Sequence, residues 1–284
     1  MHGRQGLQRI VEPHLSGGRT CACPAASRRS PRGSRRGLLA PADRSAGAPA
    51  RRPATRCGFE RVVDLTRAMG QDFPSFDPGL SPVTETVATL ARDGYNMRRW
   101  SLVEHSGTHL DAPIHYADDG ASADRLDIED LVVPLVVIDI AGKAQDDPDA
   151  LLTPDDLLAF EAARGPIPPH ACVALCSGWE RFVDGARFRN ADPQGVMHFP
   201  GFHPEAAGLL IERGAAGLAV DTLSLDRGMS RDFPVHCAWP PTGRWGLEAV
   251  ANLATLPPVG ATIVVGGPKI KGVTGGPARV LALV

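Results

Sequence analysis

Alternation of apolar and polar residues begins at Arg61. "RVVDLT" (61–66) reads as a strand, and "MRRWSLVEH" (97–105) alternates well enough to predict another. "LVVPLVVIDIAG" (131–142) is nearly unbroken in its apolar character. It predicts a strand covered on both faces, interrupted at Pro134. Two segments carry helix punctuation instead. "TPDDLLAFEAARG" (153–165) offers Thr153 as N-cap, Pro154 at the first helical position, Asp155 and Asp156 in the first turn, and Gly165 as the stop. "HPEAAGLLIERG" (203–214) repeats the proline start and glycine stop. "CVALCSGW" (172–179) predicts a strand entering a turn, and "GLAVDTLSLD" (217–226) a short strand ending in a polar loop. "GATIVVGG" (260–267) and "ARVLALV" (278–284) are the last strands. Strands outnumber helices, and at least two helices cross between strands, which defines an α/β domain with a mixed sheet.

No such periodicity exists in residues 1–57. That stretch holds twelve Arg, no Lys, and only Glu12 and Asp43, a net charge of +10 in a chain whose total is −2. Rich in Arg, Pro, Ala, Ser and Gly, it lacks the apolar surface to offset chain entropy. It is therefore expected to be a disordered or leader-like segment ahead of a domain at 58–284. Twin arginines at 28–29 and 35–36 hint at an export leader, but "GLLA" falls short of the apolar stretch a leader needs. A cytoplasmic location is the expectation, with periplasmic export the alternative if 1–57 is a degenerate leader. The remaining residues carry 18 basic against 30 acidic side chains. An acidic body of that kind argues against nucleic acid as a partner, because phosphate binding needs clustered Lys and Arg. No apolar run approaches the roughly 18 residues of a membrane span, so no membrane contact is expected either.

The chemistry concentrates in "HSGTHLDAPIHY" (105–116), which holds three of the nine histidines. Imidazole and carboxylate are the ligands that zinc, manganese and similar ions prefer. His105, His109 and Asp111 lie close together in a segment that Gly107 and Pro113 allow to bend, so their side chains can converge. Ser106 and Thr108 are candidates for orienting them. With two oxygens, Asp111 can also bridge to a second ion, whose remaining ligands must come from elsewhere. His236 and Glu248, twelve apart, are one supply; His198 and His203 compete, although His203 stands where it would cap a helix. Cys172 and Cys176 lie on one face of an apolar strand, as a buried thiol pair would. Cys237, next to His236, is expected to point the opposite way in extended chain.

These residues resemble a known family. "HSGTHLDAPIH" is similar to the His-x-Gly-Thr-His-x-Asp-x-Pro-x-His signature of the cyclase family of metal-dependent hydrolases, best known for kynurenine formamidases. The resemblance extends from about Val62 to Val284. It takes in "VVDLT", "SGW" (177–179), "DTLSLD" (221–226), "PVH" followed twelve residues later by Glu248, and "GGPARVLAL". It implies a swivelling β/β/α fold and a homodimer or homotetramer. It also implies two Zn2+ per subunit, with Mn2+ as the alternative ion. His105, His109 and Asp111 would hold one ion; Asp111, His236 and Glu248 would hold the other; His115 would be the general acid/base. The implied activity is hydrolysis of an amide, formamide, cyclic amide or lactone of a small aromatic substrate, arylformamidase-like in the first instance. "FPSFDPG" (73–79) departs from the Trp-Pro-Gly of kynurenine formamidases, with Phe76 roughly at the tryptophan position. Isatin and lactone hydrolases belong to the same family. Phe76, Trp179 and His198 are the candidates for lining the substrate pocket. From another class, a non-catalytic metal or small-ligand binder on this fold would have no use for a spare imidazole at His115.

Overall fold

The computed structural model describes residues 58–284, so the expectation for residues 1–57 lies outside the described residues. Thirteen strands run in chain order: β1 (Val62–Asp64), β2 (Val83–Ala88), β3 (Met97–Ser101), β4 (His109–Asp111), β5 (Val132–Asp139), β6 (Leu151–Leu152), β7 (Cys172–Cys176), β8 (Gly201–Phe202), β9 (Gly217–Val220), β10 (Trp245–Glu248), β11 (Ala261–Gly266), β12 (Gly275–Pro277) and β13 (Arg279–Leu283). Five α-helices join them: α1 (Leu90–Asp93), α2 (Ala141–Asp146), α3 (Pro154–Arg164), α4 (Pro204–Glu212) and α5 (Pro234–Ala238). Nine strands form one curled mixed sheet in the order β1-β13-β11-β5-β7-β9-β10-β4-β12. Its centre, β5-β7-β9-β10, is parallel, and antiparallel strands extend both edges.

The parallel centre explains the unbroken apolar runs. Leu135 and Val137 of β5 face the core inside the curl, with Cys172, Ala174 and Cys176 of β7. Val136 and Ile138 face the opposite core, where Leu157 of α3 and Leu210 of α4 cover the sheet. Strands covered on both faces need apolar residues at every position. Cys172 and Cys176 are buried free thiols on one face, as the alternation required. Pro134 does not interrupt its strand. It faces Thr262 of β11, while β7 begins only opposite Leu135, so no ladder bond on the β7 side is lost.

Local signals fixed the two long helices. Thr153 and Asp156 form a reciprocal capping box at the start of α3. His203 caps α4, its Nδ1 accepting the Glu205 N–H at 3.2 Å, which removes it from the ligand candidates. The segment 97–105 forms a strand only to Ser101. That strand pairs with β2 in a separate two-stranded sheet, and all five of its residues are exposed. Among the described residues, no helix is long and apolar enough to cross a membrane.

Gly217 of β9 sits opposite Trp245 of β10, and a Cβ there would come within 2.3 Å of the indole ring. The indole cannot easily retreat, because its Nε1 donates to the Asp130 carbonyl at 3.0 Å. Gly217→Ala is therefore expected to cost roughly 1–3 kcal/mol by overpacking. An unchanged denaturation midpoint, followed by tryptophan fluorescence, would show that the close approach is not constraining.

Candidate metal centre

The middle of the histidine-rich stretch, His109–Asp111, folds as a strand, which its hydropathy did not announce. In β4 only Leu110 turns into the apolar core; His109 and Asp111 share the other face. β10 runs antiparallel beside it, placing Glu248 opposite His109 and Gly246 opposite Asp111. On the other edge, β12 sets Gly275 opposite Asp111. The Asp111 carboxylate thus has a glycine on either side. A Cβ at Gly246 would stand 3.3 Å from Asp111 Oδ2, and one at Gly275 would stand 2.7 Å from the His105 ring. Both glycines keep open the space that the carboxylate and its imidazoles occupy.

Each imidazole is held from behind and aimed at the carboxylates. His109 Nδ1 bonds the Gly107 carbonyl at 2.9 Å, leaving Nε2 3.3 Å from both Asp111 Oδ1 and Glu248 Oε2. His236 Nδ1 bonds Asp226 Oδ2 at 2.6 Å, and the Asp226 carboxylate also accepts the backbone N–H of Val235 and His236. That leaves His236 Nε2 3.2 Å from Glu248 Oε1 and 3.7 Å from Asp111 Oδ2. His105 is turned the other way round. Its Nδ1 lies 2.6 Å from Asp111 Oδ1, while Nε2 contacts Thr274 Oγ1 at 3.0 Å. Thr274 in turn donates from both its N–H and its hydroxyl to Glu104 Oε2.

Two groups of potential ligands follow, His105–His109–Asp111 and Asp111–His236–Glu248, each with its ligand atoms within 4.8 Å of one another. His109 Nε2 and Asp111 Oδ2 are fully buried and make no hydrogen bond, although carboxylates and imidazoles lie a few ångströms away. Buried polar atoms are rarely left so. Donors too close to ignore one another and too poorly aligned to hydrogen-bond fit a cation held between them.

The electrostatics agree. Burial alone would lower the His109 pKa, but Asp111 and Glu248 outweigh it and raise it to about 10. His236 is likewise raised well above its ordinary value, as Asp111, Asp226 and Glu248 overcome burial. Burial acts to raise Asp111, yet the three imidazoles hold it well below the usual carboxylate range. Protons supply the positive charge that two buried carboxylates demand.

His115 closes the single turn Pro113–His115. Its ring stacks on His105 with centroids 3.9 Å apart and stands 5.9 Å from His236. Burial, aided by the neighbouring imidazoles, lowers its pKa to about 4. Above these groups opens a cavity of about 310 Å³ walled by Phe73, Phe76, Leu80, Val103, Tyr116 and Phe233. Phe233 holds φ at +46° directly before Pro234, a conformation that costs a non-glycine residue about 1–3 kcal/mol. Its ring meets Phe76, Tyr116 and His236. A larger cleft of about 690 Å³ lies behind Phe73–Ser75, beside Arg67 and Asn252, but no histidine lines it.

Phe76 therefore stands where expected. Trp179 and His198 do not. Trp179 is 1% exposed, packed with Phe188 and Phe199, and donates its indole N–H to the Phe188 carbonyl. A ring that large was the natural filler for a core of its own. His198 is paired with Asp149 at 2.7 Å and does not line the cavity; that hydrogen bond raises its pKa. Asp221, buried beside the sheet, accepts bonds from Ser177 and Trp179 and makes none to His236. Thr108 bonds the Ala249 carbonyl, and Ser106 Oγ has no partner, so neither orients a ligand. Cys237 lies on a helix, not on extended chain. No local signal marks Glu104 and Thr274, whose separation of 170 residues is closed by the β4–β12 pairing.

A donor set of this kind, anchored from behind and opening onto an apolar cavity, suits a metal-dependent enzyme. Comparison with known proteins agrees. Residues 63–227 match the family model Cyclase, described as "Putative cyclase". The chain is 35% identical to the isatin hydrolase of Roseibium aggregatum over 246 residues, 80% of this chain and 93% of that protein. Isatin hydrolase A from Ralstonia solanacearum superimposes with a TM-score of 0.75 at 38% identity, over 79% of this chain and 92% of that one. An isatin hydrolase bound to the product analogue thioisatinate gives the same TM-score at 33% identity, with the same coverage. The chain belongs to the cyclase family of metal-dependent hydrolases.

Two measurements test the centre. Metal ligation requires neutral imidazole, so loading the metal-free protein at neutral pH should release protons from His109 and His236, and affinity should rise with pH. Loading without proton release, followed with an indicator dye, would refute the charge balance above. Thr274→Val and Asp226→Asn should each weaken metal affinity about 10–100-fold in chelator competition, as loss of an outer partner does. Thr274→Ser should restore it.

Proposed function

We propose that this protein opens the ring amide of a small aromatic cyclic amide of the isatin type, yielding an aryl amine and a carboxylate. The observation that carries this reading is the 310 Å³ cavity, in which Phe76, Tyr116 and Phe233 offer ring faces directly above the histidine–carboxylate cluster. A flat bicyclic substrate suits such walls, because aromatic pairs gain about 0.5–1.5 kcal/mol beyond their buried area. Kinship with isatin hydrolases supports the cyclic amide over an N-formyl arylamine, as does the absence of a tryptophan at Phe76.

In this proposal His105, His109 and Asp111 hold one divalent cation, and Asp111, His236 and Glu248 hold a second. The two Asp111 oxygens face opposite sides of the cluster, Oδ1 toward His105 and His109 and Oδ2 toward His236, which supports the bridging role. A His/Asp/Glu set accepts Zn2+ or Mn2+. When bound, such ions activate water near neutral pH and offset the charge that develops on the carbonyl oxygen.

The chain's own residues do the rest. The aromatic walls fix the ring so that its carbonyl carbon lies over the cluster and exclude bulk water from the far face. Water adds its oxygen to that carbon and the C–N bond breaks. His115, free of any anchoring hydrogen bond and stacked on His105, takes the water's proton and delivers it to the departing nitrogen. That nitrogen leaves as a neutral aryl amine, and the remaining proton balances the carboxylate.

The deciding experiment follows isatin ring opening by absorbance, with and without chelator, against N-formylkynurenine as the competing substrate. Chelator-sensitive turnover of isatin at the higher kcat/KM is expected. Preference for the formamide would replace this assignment with the arylformamidase. Elemental analysis should find two equivalents of metal in the wild type and close to none in Asp111→Ala. His115→Ala should keep its metal while turnover falls by roughly 10²–10⁴-fold, the usual worth of a general acid/base. Metal loss in that variant would make His115 a ligand.

A further inference from the structure

Two arginines line the larger cleft behind the catalytic cavity, and neither has a full set of partners among the described residues. The Arg67 side chain is only 11% exposed. It bonds through Nη2 alone, to Glu180 Oε2 at 3.3 Å and to the Val250 carbonyl at 3.4 Å. That Glu180 oxygen lies closer to the Asn252 N–H, at 2.6 Å, so Arg67 has the weaker share of it. Its Nε is buried without a partner. Burial lowers the Arg67 pKa by more than Glu180 and Asp221 restore. Arg189 is placed alike. Its Nη2 donates to the Phe76 carbonyl at 3.1 Å, its Nε is buried and unpaired, and it forms no ion pair among the described residues.

A buried guanidinium is costly unless it is neutralised, and its planar fork matches the geometry of an oxyanion. The cleft's own carboxylates do not meet that need. Asp72 and Asp184 line it, but both are exposed and neither pairs with Arg67 or Arg189.

Size and lining narrow the class of ligand. At about 690 Å³ the cleft has more than twice the volume of the catalytic cavity, and an inorganic ion would leave most of it empty. Apart from the polar groups, its wall is apolar, through Phe73, Pro74, Pro78, Val183, Ala186 and Ala251. An anion with a flat apolar body meets both parts. The cleft is also joined to the cavity. Phe73, Pro74 and Ser75 line both spaces, and Arg189 holds the carbonyl of the next residue, Phe76.

We propose that this cleft is a second binding site, specific for a small aryl carboxylate, with Arg67 and Arg189 as its cationic partners. Its occupant packs on the back of the wall that borders the substrate. One source of such a ligand is the ring-opened product, a clause that rests on the function proposed above; an unrelated aryl carboxylate is the other.

Fluorine NMR with 4-fluorobenzoate, added to the metal-loaded full chain, tests the site without requiring turnover, so its result stands whatever substrate the cavity takes. Saturable binding is expected, and none below about 10 mM would overturn the proposal. A carboxylate can also reach the metal centre, so Asp111→Ala should still bind the probe. Arg67→Met and, independently, Arg189→Gln should each weaken binding about 10–100-fold while thermal unfolding stays cooperative. Binding that survives both substitutions, or that is lost in Asp111→Ala, would overturn the site. Crystals soaked with 4-bromobenzoate should show the anomalous signal of bromine in the cleft. A signal only over the histidine–carboxylate cluster, or a cleft filled by a neighbouring copy of the chain, would overturn it too. Inorganic phosphate binding as tightly as 4-fluorobenzoate would overturn the choice of an aryl carboxylate. Isatinate titrated in the same way separates the sources: tighter binding than 4-fluorobenzoate marks the product as the ligand, and weaker binding marks an unrelated carboxylate.

Discussion

The burial of Asp111 constrains everything around it. A carboxylate at 1% exposure, with Glu248 6% exposed nearby, is two negative charges with little solvent to screen them. Unpaired, a buried ion costs several kcal/mol. The fold meets that cost by bringing positive charge from three directions, through His105, His109 and His236. Protons on the imidazoles satisfy the carboxylates, and so does a divalent cation. Only the second leaves His109 Nε2 and Asp111 Oδ2 with partners in the right directions. The protein is therefore built around an exchange of protons for metal, at a point the backbone holds rigid.

That rigidity comes from the sheet and from glycine. β4 is three residues long but is paired on both edges, and Gly246 and Gly275 stand across from Asp111 because any larger residue would occupy the ligand space. Ala249, directly after Glu248, takes a left-handed conformation at φ +52°, which turns its carbonyl to accept the Thr108 hydroxyl. Strain there ties the end of β10 to the start of β4, the two strands that present Glu248 and His109. The outer partners of the imidazoles are chemically different: a backbone carbonyl, a threonine–glutamate chain and an aspartate. They share one effect, the fixing of which ring nitrogen faces the centre.

The sequence was legible where local physics decides. Thr153, Pro154 and Gly165 marked one helix because capping is a matter of neighbours along the chain, and the apolar runs marked β5 and β7 because both faces of their centres are buried, and β11 because its alternate residues enter the core. β4, β10 and β12 escaped for the opposite reason. Each has polar or glycine residues on the face turned to the metal-ligand cluster, and at three or four residues they are too short for a hydropathy pattern to distinguish them from loop. His236 and Glu248 were joined to Asp111 by family resemblance and not by spacing; the structure connects them through a short helix and a strand whose register no local signal reveals. Trp179 and His198 misled because an aromatic ring and an imidazole look the same in sequence whether they line a cavity, fill a core or pair with an aspartate.

The metal cluster and the cavity wall come from different parts of the chain, and this separates chemistry from choice of substrate. The ligands lie mainly on β4, β10 and α5, anchored to the sheet or to Asp226. The wall comes from the segments 73–80, 101–105, 115–116 and 223–233, which connect elements; the last of these also carries Asp226, which holds His236, and Leu225, whose N–H donates to Glu248. Changes in the wall can reshape the cavity without moving Asp111, because the strands that place the carboxylate are paired independently of those loops. Phe233 is one place where the two parts touch. Its strained backbone lies one residue from the helix that carries His236, so the ring that borders the substrate and the imidazole that faces the metal are set by the same turn. A substitution that relaxed Phe233 would alter both at once, whereas one at Phe76, whose ring packs on Phe233 and on no metal-ligand candidate, would act first on the cavity.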